Sequence, residues 1–259
     1  MHDVSGFRPT ERFTGLSDLY SRHRPTYPAA ALDFIQARCG LGPGALLVDV
    51  GCGTGISTRL FAARGVPVIG VEPNDDMRAR AEVAPPPEGA PVPEYRKGTA
   101  EATGLPDGCA AAVLAAQAFH WFDAPAALRE FRRALRSGGH VALAGYERDE
   151  EDACTAAYGA VLRTGPDAAA VEGKRGRAGE ALLQSPLFEG GECATFRHEQ
   201  EMDEEGLLGR ALSASYAPRE PAAAAAFGWA LRTVFAAHQR DGRVTLRYVT
   251  SVYLACRRD

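Results

Sequence analysis

The chain has 259 residues, 46% hydrophobic and 24% charged, which is the balance of a globular protein with room for one large core. Twenty-nine basic residues face 33 acidic ones, a net charge of −4 with an isoelectric point near 5.9, and this argues against binding nucleic acid or a membrane surface through bulk charge. No apolar run approaches the ~20 residues needed to cross a bilayer, and the opening MHDVSGFRPTER lacks the apolar core of a secretory signal, so a cytoplasmic protein with no membrane contact is expected.

In chain order, a polar arm with spaced aromatics (Phe7, Phe13, Tyr20, Tyr27) closes at Pro25 and Pro28. A helix is predicted over Ala29–Arg38, stopping at Gly40. Ala45–Val50 reads as a buried strand that runs into glycines 51, 53 and 55. A helix over Ile56–Arg64, stopped by Gly65, leads to a second buried strand, Val66–Val71. Asn74 caps a helix reaching about Glu82. Ala84–Pro93 holds five prolines in ten residues and reads as an ordered surface loop. Strands follow at Tyr95–Gly98 and Ala110–Ala116, then an amphipathic helix over Ala124–Arg136 with Asp123 as N-cap. Gly138-Gly139 ends that helix, and His140–Ala144 is a fifth strand. Glu147–Asp152 reads as a solvated acidic run. Helices are expected near Ala153–Thr164 and Ala222–Gln239, and strands near Cys193–His198 and Arg243–Cys256, the last after an Asp241-Gly242 turn.

The pattern is a doubly wound α/β fold with a mostly parallel sheet. It divides into an N-terminal arm and helix (1–40), a core (41–146), helical segments suited to a lid or substrate cover (147–192 and 205–240) and C-terminal strands (193–204 and 243–256), all within one domain, 1–259. The six cysteines, Cys39, Cys52, Cys109, Cys154, Cys193 and Cys256, never fall at C-x-x-C spacing, so no metal site is expected and they read as small buried side chains.

The informative stretch is Val48-Asp49-Val50-Gly51-Cys52-Gly53-Thr54-Gly55. A glycine loop between strand and helix brings backbone N–H groups close to a ligand. A dinucleotide loop is G-x-G-x-x-G, whereas here the third glycine follows the second by two, and an aspartate precedes the first. That carboxylate would repel a pyrophosphate but suits a ligand bearing an ammonium or sulfonium. Glu72, 21 residues after Gly51 at the end of the next strand, is placed to accept from both hydroxyls of a ribose.

With VIGVEPNDDM, GTAEATGLPDG, AAQAFHWFD and LREFRRALRSGGHVAL, this loop makes the chain resemble the class I S-adenosylmethionine-dependent methyltransferases, in the small-molecule branch that includes trans-aconitate methyltransferase-like proteins. These motifs span residues 45–144, and the arm pattern around Phe13, Tyr20, Arg24-Pro25 and Tyr27-Pro28 resembles the same branch. The resemblance implies a seven-stranded Rossmann-like methyltransferase fold with S-adenosylmethionine as cofactor. It implies that Asp49, Gly51, Cys52, Gly53 and Gly55 wrap the methionine portion, and that Glu72 holds the ribose with Pro73 and Met77 nearby. Ala100 and Glu101 would flank the adenine, and Gln117, Ala118 and Phe122 the sulfur side. Tyr20 and Arg24 would close from the arm, Arg24 on the cofactor's carboxylate.

Such a reaction needs a nucleophile held in line and shielded from water. Aromatic rings suit a sulfonium, and Phe119, Trp121, Phe122 and Tyr20 are candidates. His120, after the fourth strand, is the expected catalytic base, with Tyr20 beside it in a catalytic role. His198 and His238 read as surface residues. Tyr146, Ser213, Tyr216 and Tyr248 are expected at the acceptor, with Phe119 and Trp121. The expected partner is a small-molecule acceptor taking the methyl at O, N or C, with no nucleic acid, in a monomer or homodimer. The alternatives are a tRNA or protein methyltransferase and a cofactor-binding regulator without turnover.

Overall fold

The computed structural model describes residues 23–175 and 178–259. Seven strands form one sheet: β1 (Leu47–Val50), β2 (Val68–Val71), β3 (Glu94–Arg96), β4 (Ala110–Ala116), β5 (Leu135–Arg148), β6 (Phe188–Met202) and β7 (Val244–Arg257). Their order is β3-β2-β1-β4-β5-β7-β6. The first five pair in parallel, and β7 runs antiparallel to both β5 and β6. The helices are α1 (Ala29–Arg38), α2 (Ile56–Ala62), α3 (Asp75–Val83), α4 (Ala124–Ala134), α5 (Ala153–Leu162), α6 (Ala168–Arg175), α7 (Ala178–Leu183), α8 (Glu204–Leu212) and α9 (Pro221–His238).

The strand cores explain the layering. Alternate residues point to opposite faces. Leu47, Ala112, Leu114, Ala142 and Ala144 pack with residues of α1, α2, α5, α8 and α9. Val48, Val50, Val113, Ala115, Val141 and Leu143 pack against α4 and α7 on the other face. A strand covered on both sides must be apolar throughout, as β1 and β4 are apart from Asp49. Where the strand order reverses, between β1 and β4, the connections leave to opposite sides and open a crevice at the strands' carboxyl ends.

Local chemistry sets the helix starts. Asn74 accepts from the Met77 N–H and Asp123 from the Ala126 N–H, each as N-cap. The acidic run is solvated as expected, with Glu147, Glu150 and Glu151 exposed, and it also serves the structure: Asp152 caps α5 through the Thr155 N–H, and Glu150 pairs with Arg148 and Arg163. Gly138 and Gly139 do not end α4. They lie inside β5, where the register to β4 jumps between Ala110–Leu135 and Ala112–His140, and Gly138 takes φ 70° in that irregularity. β7 falls where it was expected, within one residue at each end, whereas β5 and β6 extend well beyond their expected bounds, and α6, α7 and α8 were not separately anticipated. His198 is half-buried and stacks on Tyr248 with ring centroids 5.3 Å apart. Cys39, Cys52 and Cys154 are buried, whereas Cys193 is exposed. Among the described residues no helix is long and apolar enough to cross a membrane, and no three His, Cys, Asp or Glu side chains gather as a metal site.

Candidate active site

A cavity of about 370 Å³ occupies the crevice, within the range of small-molecule sites. Its floor is the turn after β1. Gly51, Gly53 and Gly55 all have positive φ, the region open to glycine at little cost. At Gly51 close approach adds to this: a Cβ would lie 2.7 Å from Ala118 Cβ and 3.0 Å from Phe122 Cζ. The bare backbone here keeps the cavity open. Cys52, its thiol pushed up by burial, and Met77 complete this apolar wall.

Glu72, at the end of β2, is buried but remains on the cavity wall. Its two carboxylate oxygens each accept one backbone N–H, Oε2 from Gly53 and Oε1 from Asn74, both at 2.9 Å. The group is thus fixed in position and tied to the glycine turn. Burial raises its pKa above the ordinary value near 4.5, and the two N–H donors oppose that shift. A carboxylate has about four lone-pair directions, so acceptor capacity remains for a ligand.

Asp49 has a different place. It is fully buried beneath the turn, with Oδ2 accepting from Ser57 Oγ at 2.7 Å and Thr58 Oγ1 at 2.6 Å. It does not line the cavity, and Ser57 stands there instead. Gly55 is also off the wall, where it caps α2.

Ala100 and Glu101 form another part of the wall. Thr103, two residues on, is anchored by Glu130 of α4, which accepts from its N–H at 2.8 Å and its Oγ1 at 2.5 Å. Glu101 accepts in turn from the Asp123 N–H. After β4, Gln117 is a non-glycine residue at φ 56°, a strained conformation held by two bonds to β5: its N–H to Ala144 O and its Nε2 to Tyr146 O. This turn sets Gln117, Ala118, Trp121 and Phe122 on the wall.

From the described end of the arm come Arg24, Pro25 and Tyr27. Arg24 is buried and donates to the Ser213 carbonyl at 2.9 Å, while Gln200 donates to the His23 carbonyl. The arm is therefore held by β6 and the end of α8. Tyr20 lies outside the described residues.

Other expected residues lie elsewhere. His120 and Phe119 line a smaller adjoining recess of about 90 Å³, not the main cavity, and Phe119 packs against Phe122 and Phe131. His120 sits against Trp121, centroids 4.7 Å apart. Tyr146 borders both spaces. Ser213 serves the arm through its carbonyl, Tyr216 donates to Glu172 at 3.3 Å, and Tyr248 lines a separate cavity. Ile56, Ser57 and Thr99 line the main cavity without having been singled out, and Pro25, Tyr27 and Asp123, read from sequence only as parts of the arm and as a helix cap, line it too. Ser57, in the first turn after the glycines, and Thr99, beside Ala100, were open to inference from their neighbours.

A family described as "methyltransferase domain" matches residues 48–143, the span from the glycine turn to β5. A malonyl-[acyl-carrier protein] O-methyltransferase of Serratia marcescens is 31% identical over 194 residues, covering 71% of this chain and 68% of its own. The chain belongs to the methyltransferase family. Uncharacterized methyltransferases of Mycobacterium tuberculosis and Mycobacterium bovis are 37% identical over 131 residues, and the chain spans about half the length of these relatives. A solved structure from Anaeromyxobacter dehalogenans, described as a candidate type II methyltransferase, superposes with a TM-score of 0.61 at 25% identity, covering 91% of this chain and 97% of that one. The methyltransferase thus has the class I, Rossmann-like architecture expected from its sequence. The same fold, at 17% identity and a TM-score of 0.53 over 98% of this chain and 95% of the other, is found in a [4+2]-cyclase, so the site and not the sheet must carry the chemistry.

Proposed function

We propose that this methyltransferase uses S-adenosylmethionine to methylate an O, N or C atom of a small-molecule metabolite. The observation that carries the reading is Glu72: a buried carboxylate, fixed by two backbone N–H groups, with acceptor capacity left at the edge of a largely apolar cavity whose floor has no room for a side chain at Gly51. When bound, S-adenosylmethionine supplies an activated methyl group on a sulfonium. Glu72 would accept from the ribose hydroxyls. Ala100 and Glu101 would border the adenine, with Pro73 and Met77 beside the ribose. Arg24 would meet the carboxylate of the methionine portion as a guanidinium fork. Asp49 would act at one remove, by aligning Ser57 and the start of α2.

The apolar wall of Ala118, Trp121 and Phe122 excludes water and orients the acceptor. His120 would take the acceptor's proton from the adjoining recess, with Tyr146 between the two spaces. The Serratia marcescens relative is named as an O-methyltransferase, which supports oxygen as the accepting atom. The resemblance to the trans-aconitate methyltransferase-like branch supports a free metabolite as acceptor.

The test is transfer of label from methyl-labelled S-adenosylmethionine into a metabolite extract, with an RNA fraction in parallel. Label should enter a small molecule. His120→Ala should lower kcat at least tenfold and leave affinity for S-adenosylhomocysteine within twofold. Labelled RNA with no labelled metabolite overturns the acceptor class, and an unchanged kcat at every pH removes His120 as the base.

A further inference from the structure

Beyond Tyr146 lies a second cavity, again about 370 Å³, with Arg148, Arg163, Arg210 and Tyr248 among its walls. Most of its charge is already matched. Arg148 pairs with Glu172 at 2.6 Å and with Glu150 at 3.2 Å, and Arg163 pairs with Glu150 at 2.6 Å. Arg210 stands outside this network. It is 5% exposed, no carboxylate among the described residues pairs with it, and its Nε has no hydrogen-bond partner among them. Its guanidinium carbon sits 5.9 Å from the Tyr248 ring centroid. The buried Tyr158 hydroxyl has no hydrogen-bond partner among the described residues, and the buried Tyr248 hydroxyl faces only the Arg210 guanidinium, which leaves its own O–H free to donate. Glu147, on the rim, is exposed and makes no ion pair with Arg210.

A guanidinium keeps its charge in a protein and cannot escape burial by losing a proton. A buried charge without a counter-ion is costly, and here an open cavity with an unoccupied hydroxyl donor adjoins it. The lining holds three arginines and three glutamates, and its ion pairs leave out only the buried Arg210 and the exposed Glu147, so the Arg210 guanidinium is the buried charge without a counter-ion. Tyr146 lines this cavity as well as the main one, and a ligand with one end in each would have to pass its ring.

We propose that Arg210, with the Tyr248 hydroxyl, binds a carboxylate of the methyl acceptor that is remote from the atom being methylated. The inference rests on the methyl-transfer reading above and adds the acceptor's chemical class to it. Two arguments make this carboxylate an anchor. Arg210 does not border the main cavity, where transfer would occur. A carboxylate gripped by a guanidinium also has its lone pairs engaged and its nucleophilicity lowered. A carboxylate is favoured over phosphate because one flat monovalent fork is unmatched, while the neighbouring arginines are already neutralised.

The experiment is calorimetry on the full chain, first with S-adenosylhomocysteine, then on the loaded protein with glutarate, benzoate, their amides and inorganic phosphate. At least one carboxylate should bind, its amide should bind at least tenfold more weakly, and phosphate should not compete. Arg210→Met should abolish carboxylate binding and leave S-adenosylhomocysteine affinity within twofold. Arg210→Lys, which keeps the charge and loses the fork, should retain partial binding and covers the case in which the methionine variant fails to fold. Arg210→Met should also melt no lower than the parent when no anion is present. Acid and amide binding alike, phosphate binding in place of carboxylate, carboxylate binding unchanged in both variants, or no binding by any carboxylate would each overturn the assignment. Failure of S-adenosylhomocysteine to bind the parent protein would instead strike the donor reading.

Discussion

Glu72 links stability and binding with opposite signs. Its folded-state pKa is raised by burial, so in the free protein it favours folding below its ordinary value near 4.5, and that contribution is lost as pH rises through the folded value. The proposed ligand needs the ionised form. Affinity for S-adenosylhomocysteine should therefore begin to fall on acidification above pH 4.5, earlier than for an exposed glutamate. Glu72→Ala should bind roughly 10–100-fold more weakly, the loss of one or two hydrogen bonds to a charged group, with a flat profile over that window. Calorimetry across pH checks both; a parent profile as flat as the variant's would take Glu72 out of the ligand site. Gly51→Ala tests the floor. The added methyl meets Ala118 and Phe122 at a positive φ, so binding should be lost at a stability cost of about 1–3 kcal/mol. A variant that still binds normally would show that the turn does not touch the ligand.

At the scale of elements, α4 does more than cover the sheet. Glu130 reaches from it to Thr103 and holds the segment carrying Ala100 and Glu101. The Arg133 guanidinium beside it, with Thr103, lowers the Glu130 pKa to about 2. This contribution is complete above the ordinary carboxyl value and lost as pH falls toward 2. Glu130→Ala, which strands the buried Thr103 N–H, should cost about 1–3 kcal/mol and flatten acid unfolding in that range. It should also weaken S-adenosylhomocysteine binding, although Glu130 does not touch the cavity. Chemical denaturation at several pH values and calorimetry give the two readouts, and an effect on neither would dismiss the anchor. The elements of this half were legible because their signals are local. Glycine spacing, the Asn74 and Asp123 caps and unbroken apolar strands need only near neighbours. The later half was less legible. β6 alternates exposed and half-buried residues at the sheet edge, and α6 to α8 are short helices fixed by tertiary contacts. Arg210 was invisible in sequence, because its lack of a counter-ion depends on where Glu150 and Glu172 spend theirs.

Across the whole molecule, the cavity joins distant parts of the chain. Arg24, Pro25 and Tyr27 border it, yet they are held by Ser213 and Gln200. His23 lies over Gly209 of α8, where a Cβ would overlap the imidazole. Gly209→Val should lift the arm from α8, speed proteolytic cleavage before α1 and weaken S-adenosylhomocysteine binding several-fold. An unaltered digestion pattern would show that the arm does not depend on this contact.

The clasp between Arg24 and Ser213 spans 189 positions of sequence. During synthesis, which runs from the N-terminus, the glycine turn and Glu72 leave the ribosome early, whereas the carbonyl that secures Arg24 is made much later. A nascent polypeptide stopped after β5 would own the floor of its crevice but not the fastening of its roof, and full retention of the proposed donor would arrive only with the final third of translation.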